Sequence, residues 1–144
     1  MLSRAEAPTV SFYRHVDVWG GSLFPVQGTN SNEVKVPVVK LTEVLTELVP
    51  NVLLVDIEGG EIGMLEGSRD VLSRCRPLLL IELHGTNEPV DAILREQKYS
   101  AYLLGESRPM AQAPWDAFAI GVPSEDRARC ELAGQIAQQA LLTR

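Results

Sequence analysis

The stretch "LLVDIEGGEIGMLEG", residues 53 to 67, places Asp56, Glu58 and Glu61 directly behind an apolar run. A second apolar run, "PLLLIELHG" (77–85), ends in Glu82 and His84. Carboxylates and an imidazole are side chains of general acid–base work, and oxygen-rich sets with one histidine also suit divalent metals. Residues two apart on a strand share a side, so Asp56 and Glu58 are expected to face together if the strand runs that far, as are Glu82 and His84. In open α/β sheets, ligands sit beyond the carboxyl ends of the strands, so one crevice would hold Asp56, Glu58, Glu61, Glu82 and His84. That much negative charge is costly without compensation. A helix N-terminus would answer Glu61, and the N–H groups of a Gly59-Gly60 turn would answer Asp56 and Glu58. A cation, a sulfonium or a hydroxyl substrate would answer the rest. The plainer reading is structural: Asp56 caps a helix, Glu61 complements its dipole, and Glu82 and His84 are solvated strand-end residues. Spacing alone favours the plainer reading. No G-x-S-x-G nucleophile motif, P-loop or G-x-G-x-x-G dinucleotide motif accompanies these residues.

The elements that must position them follow from periodicity. "NVLLVDI" (51–57) and "PLLLIELHG" are continuous apolar runs, as expected of strands covered on both faces. Between them, residues 60–75 carry apolar positions at helical spacing. Upstream, "TVSFYRHV" (9–16) and "VKVPVVKL" (34–41) read as strands around a Gly/Ser/Asn-rich loop, with Pro37 confined to an edge or bulge. Thr42 is placed to cap a short helix over 42–50, which ends before Pro50. Downstream, a helix is expected over 88–97, strands over 99–104 and 115–122, and a last helix capped by Ser124, with Leu132, Ala133, Ile136, Ala137, Ala140 and Leu141 inward. Parallel strands joined by helices predict an α/β fold with a three-layer core.

The chain has 144 residues, 45% of them hydrophobic, which suits one domain with a real core. The net charge of −6, with Lys and Arg scattered singly, argues against nucleic acid. No apolar run is long enough for a membrane span, and no apolar signal segment opens the chain, so a cytoplasmic protein without membrane contact is expected. Cys75 and Cys130 fall on apolar helix faces and are expected as buried, reduced thiols.

Read together, "VPVVKLTEVL", "LLVDIEGGE", "MLEGSRDVL" and "PLLLIELHG" resemble the C-terminal half of FkbM-type, S-adenosylmethionine-dependent methyltransferases. "TVSFYRHVDVWGGSL" before them, and "KYSAYLL" and "WDAFAIGVP" after them, resemble neighbouring segments of that family. Two positions depart from the pattern: Leu54 stands where the family has lysine, and Thr42 where it has aspartate. The resemblance implies a Rossmann-like class I methyltransferase sheet lacking its first three strands, with residues 1–144 forming one partial domain. It further implies that the last strand inserts, antiparallel, beside strand 78–83. Asp56, Glu58, Glu82 and His84 become the candidate catalytic residues, and Asp56 and Gly59 the candidate cofactor-binding ones; no metal ligand is assigned.

The implied activity is methyl transfer from S-adenosylmethionine to a hydroxyl of a small molecule or sugar, with a carboxylate or His84 as general base. The glycine-rich motif and the acidic residue that hold the cofactor belong to the half not seen here. Weak or absent cofactor binding, and no activity from the isolated chain, are therefore expected. Two alternatives stand beside this. One is a non-catalytic α/β remnant that binds a second copy or a partner chain through a bare sheet edge. The other is a metal-dependent hydrolase built on Asp56, Glu58, Glu82 and His84.

Overall fold

The computed structural model describes residues 8–16, 20–25, 27–28, 30–45 and 47–143. Residues 19, 26 and 29 of the expected loop over 19–33, residues 17–18 just before it, and residue 46 of the expected helix lie outside them. Strands β1 (Thr9–His15), β2 (Gly21–Ser22) and β3 (Ser31–Pro37) form an antiparallel sheet in the order β2-β1-β3. The stretch read as a loop thus holds β2 and the start of β3. Polar side chains mask that strand: Ser11 Oγ donates to Glu33 at 2.6 Å and Lys35 Nζ donates to Ser11 at 2.5 Å. Pro37 ends the outer strand opposite Thr9, where its missing N–H breaks no inner ladder.

Helix α1 (Leu41–Val44) is a single turn rather than a helix over 42–50. Lys40 stands at its N-cap without a side-chain hydrogen bond, so Thr42 is not the cap. The second sheet contains β4 (Val52–Val55), β5 (Leu78–Glu82), β6 (Tyr99–Leu103) and β7 (Phe118–Pro123), ordered β4-β5-β7-β6. The two apolar runs are parallel neighbours, with Val52 opposite Leu78 and Val55 opposite Ile81. β7 lies antiparallel beside β5 and separates it from β6, as the resemblance implied. It begins at Phe118 rather than at residue 115.

The helical stretch 60–75 is two helices, α2 (Glu61–Gly67) and α3 (Arg69–Cys75). The break falls at buried Ser68, after Gly67, a pair that commonly kinks helices. Helix α4 (Asn87–Glu96) follows β5, and α5 (Arg127–Leu142) closes the chain. Asp126, not Ser124, caps α5 by accepting from Arg129 N at 3.0 Å. Ser124 donates its own N–H to Lys98 O instead and stays in the preceding turn.

One face of the second sheet carries the main core. Val55, Leu79, Ile81 and Ala119 pack there against Leu65, Leu72, Val90 and Leu94 from α2, α3 and α4. The other face is covered only in part. Ile120 and Val122 meet Ala133 of α5, with Tyr102 and Cys130 at the margin. Helix α5 docks through small residues: a Cβ on Gly134 would lie 3.5 Å from Tyr102. Of the expected inward stripe only Ala133 is buried, whereas Leu132, Ile136 and Leu141 are exposed. Covering on both faces fails at β4, where Leu54 is 76% exposed. The three-layer expectation therefore holds over β7 and not over β4. Cys75 and Cys130 are free thiols, but half-buried rather than buried.

Candidate functional site

The site grows from two strand ends that lie side by side. β4 stops at Val55, short of the expected residue 57, because the chain turns at once. Glu58 and Gly59 both adopt left-handed backbone, with φ of 47° and 91°. For Glu58 this is an uncommon and strained conformation. Asp56 and Glu58 are therefore brought together by a turn, not by strand alternation. The same turn aims Gly59 N–H at Glu61 Oε1, 3.0 Å away, while Gly60 N–H bonds Ile57 O. The turn's N–H groups thus serve Glu61 and the backbone rather than Asp56 and Glu58.

Beyond β5 the chain passes through Leu83 to Gly85 before α4 begins. Leu83 N–H bonds Ala117 O at 2.8 Å and Gly85 N–H bonds Trp115 O at 2.9 Å, so the approach to β7 holds this connection in place. Gly85 has φ of 73°, and a Cβ there would lie 2.6 Å from the Trp115 ring. Only glycine satisfies both conditions.

His84 is pinned between these elements, its side chain 4% exposed. Its Nδ1 lies 3.0 Å from Glu61 Oε1, and Thr86 Oγ1 donates to Glu61 Oε2 at 2.9 Å. Glu61 itself is fully buried. In its carboxylate form it accepts from Gly59 N–H, from His84 Nδ1–H and from Thr86 O–H, so the three donors fix its place. It is not the exposed dipole partner that its helix-start position suggests. With Nδ1–H committed, Nε2 is left facing the strand ends. Three carboxylate oxygens surround it: Glu58 at 3.6 Å, Glu82 at 3.8 Å and Asp56 at 3.9 Å. Each distance exceeds a normal N–H···O bond. The Trp115 indole meets the imidazole edge-on, 5.3 Å between ring centres, while itself 61% exposed.

The four carboxylates and the imidazole singled out in the sequence thus converge on one place. Gly59 lies beside them, with its Cα face against the Phe24 ring. Asp56 and Glu58 are about half exposed and Glu82 is half-buried, so the carboxylate side is open to solvent while His84 stands on the protein side. The plainer expectation, that Glu82 and His84 are solvated strand-end residues, fails for His84. Thr86 and Trp115 were missed. Residue 115 is expected as the start of a strand, whereas β7 begins only at Phe118, so nothing in the sequence marks Trp115 as a site residue.

Across residues 4–102 the chain matches the methyltransferase FkbM domain. The chain belongs to this family. The match contains every residue of the cluster and ends before the loop that carries Trp115. Comparison with curated proteins and with solved structures found no match. Among the described residues, no helix is long and apolar enough to cross a membrane.

Proposed function

We propose that this FkbM domain transfers the methyl group of S-adenosylmethionine to a hydroxyl oxygen on a small molecule or sugar. The observation that carries the reading is the buried His84, locked at Nδ1 by Glu61 and turned toward Asp56, Glu58 and Glu82. The cofactor, when bound, supplies an electrophilic methyl group. Asp56 and Gly59, in the turn just past the end of β4, are the residues proposed to border it. By the family resemblance, the glycine-rich turn for the cofactor's amino-acid end and the carboxylate for its ribose belong to the N-terminal half of such a domain, and the segments that carry the resemblance here are those of the C-terminal half. Binding by this chain alone is therefore expected to be weak, and the bare edge of β4 is where further strands, or a partner chain, would complete the sheet.

The acceptor is placed over Trp115, whose exposed ring offers an apolar platform next to His84. A groove of about 380 Å3 leads from Trp115 past Gly85 and Asn87 to Glu88 and Pro89. As the acceptor oxygen takes the methyl group, its proton passes to His84 Nε2 or to one of the strand-end carboxylates, Glu58 among them. Glu61 opposite Nδ1 would steady the ring in either case. Positioning by the turn at 58–60 and the connection at 83–86 supplies the rest.

The test is transfer of labelled methyl groups to a panel of sugars and small alcohols. It is run on the chain alone and on the chain completed by the cofactor-binding half of an FkbM domain. Product from the completed enzyme, reduced about a hundredfold or more by Glu58→Gln or His84→Asn, supports the reading. A completed enzyme that binds cofactor yet methylates no hydroxyl, or only nitrogen, overturns it.

A further inference from the structure

The distances around His84 Nε2 call for a group that the protein does not supply. A ring nitrogen whose side chain is more than nine-tenths buried faces three carboxylate oxygens at 3.6 to 3.9 Å. None of these is a hydrogen bond, although a few tenths of an ångström would make one. One ligand atom each from Asp56, Glu82 and His84 lies within 4.8 Å of the others. Atoms bound about 2.0–2.2 Å from one cation lie roughly 3–4.3 Å apart, so small side-chain rotations close this set on an ion.

We propose that Asp56, Glu82 and His84 Nε2 bind one divalent cation of the Mn2+ type. The chemistry of the set points there: carboxylate oxygens suit a hard divalent ion, one imidazole is better accepted by Mn2+ than by Ca2+, and the lack of thiolate disfavours a structural zinc site. Glu61 then takes on a second meaning. A histidine that ligates a metal through one nitrogen commonly gives its other N–H to a carboxylate, which fixes the tautomer and raises ligand basicity. Glu61, buried and bonded to Nδ1 at 3.0 Å, stands in that relation to His84. The cation also answers the charge problem, since three carboxylates share this end of the sheet.

Asp56 and Glu58 leave the ion open to solvent on one side. An acceptor with two adjacent oxygens, such as a sugar diol, could complete its coordination there. This use of the ion rests on the methyl-transfer reading. It also divides the roles left open above: His84 and Glu82 hold the ion, and Glu58, nearest to Nε2 but outside the set, is the carboxylate left to take the proton.

The test is Mn2+ titration of the purified chain, followed by electron paramagnetic resonance of the free ion and by calorimetry. One Mn2+ per chain with a dissociation constant below about 100 µM is expected. Glu82→Gln and His84→Asn should each weaken it tenfold or more, and Glu61→Gln, a positioning change, about tenfold to a hundredfold. Circular dichroism checks that each variant is folded. If His84→Asn does not fold, Asp56→Asn, on the exposed side, decides. No saturable Mn2+ binding up to about 1 mM, or binding that Asp56→Asn and Glu82→Gln leave unchanged, overturns the proposal. Mn2+ binding without methyl transfer by the completed enzyme would sink the functional reading and keep the ion. Full methyl transfer in the presence of a chelator would keep the functional reading and sink the use of the ion in it.

Discussion

Strands β4 and β5 begin from nearly the same text, "NVLLVDI" and "PLLLIEL", and end in very different surroundings. β5 has a neighbour on each side, with Leu79 and Ile81 essentially inaccessible. β4 is the edge of its sheet, with Val52 52% and Leu54 76% exposed. A continuous apolar run therefore states that a strand is suited to cover on both faces, not that the same stretch of chain provides it. The two strands nevertheless serve one site. β5 delivers the buried imidazole and β4 delivers the accessible carboxylates, so rigidity comes from one and access from the other.

The largest effects should separate the two strands by stability. Leu79→Ala removes a fully buried side chain from β5 and should cost about 2–5 kcal/mol in denaturant unfolding. Leu54→Ala, on the bare face of β4, should stay within about 0.5 kcal/mol. Equal costs would break the comparison, because they would mean that the outer face of β4 is covered in solution.

Glu61 and Glu58 extend the contrast to the site. Glu61→Ala leaves Gly59 N–H, His84 Nδ1 and Thr86 O–H without an acceptor. At about 1–3 kcal/mol for a buried group left unsatisfied, softened by relaxation, a loss of about 3 kcal/mol is expected. Glu58→Ala removes a side chain that is about half exposed and in strained backbone, and unfolding should hardly register it. A Glu61→Ala melt that coincides with wild type would show that the triad of bonds around Glu61 does not hold in solution.

Two glycines sharpen the comparison on a smaller scale. Gly85→Ala meets left-handed backbone and the Trp115 ring together, and should cost about 1–3 kcal/mol. Gly63→Ala, in α2 with open space where the methyl would go, should gain about 0.5–1 kcal/mol. Thermal melts of the pair test whether the His84 connection is as tightly specified as its geometry states.

Much of this was legible before any coordinates. The parallel pairing of β4 and β5 follows from two apolar runs joined by a helical stretch, and the meeting of Asp56 and Glu58 with Glu82 and His84 follows from neighbouring strand ends, although a turn rather than strand alternation joins Asp56 to Glu58. The insertion of β7 did not come from periodicity; it came from the family resemblance. Glu61 is expected in the crevice and at a helix start, but its full burial is not legible, because a glutamate there normally faces water and only the fold of the 83–86 connection buries it. Trp115 was invisible because hydrogen bonds from Leu83 and Gly85, some thirty residues earlier, bring it to the site. Thr42 and Ser124 failed as caps for a local reason. Each sits near a helix start, but the backbone turns one or two residues away from where it could accept.

The smallest effect concerns how the far end of β5 is anchored. Arg76, just before the strand, donates to Gln97 O at 2.8 Å and Lys98 O at 3.0 Å, and pairs with Glu125 ahead of α5. β4 has no counterpart of this clamp among the described residues. The guanidinium holds the Glu125 carboxyl down to about 2, from an ordinary 4.5. Between those values the unfolded chain takes up a proton that the folded chain refuses. Stability from the clamp is thus present above about pH 4.5 and lost as the pH falls toward 2. Because Glu125 is exposed, solvent and salt screen the pair, so the loss is the slightest of the set. On the alkaline side burial, partly offset by Arg76 over its ring, pushes the Tyr99 hydroxyl up to about 12 from an ordinary 10. The stability tied to that neutral phenol is complete below pH 10 and is lost as the pH rises toward 12. Comparing wild type with Glu125→Gln cancels the other carboxylates. The gap between their unfolding midpoints should be widest at pH 5 to 6 and should close between pH 4.5 and 2, and a gap that stays constant over that range would mean that the clamp on β5 does not titrate.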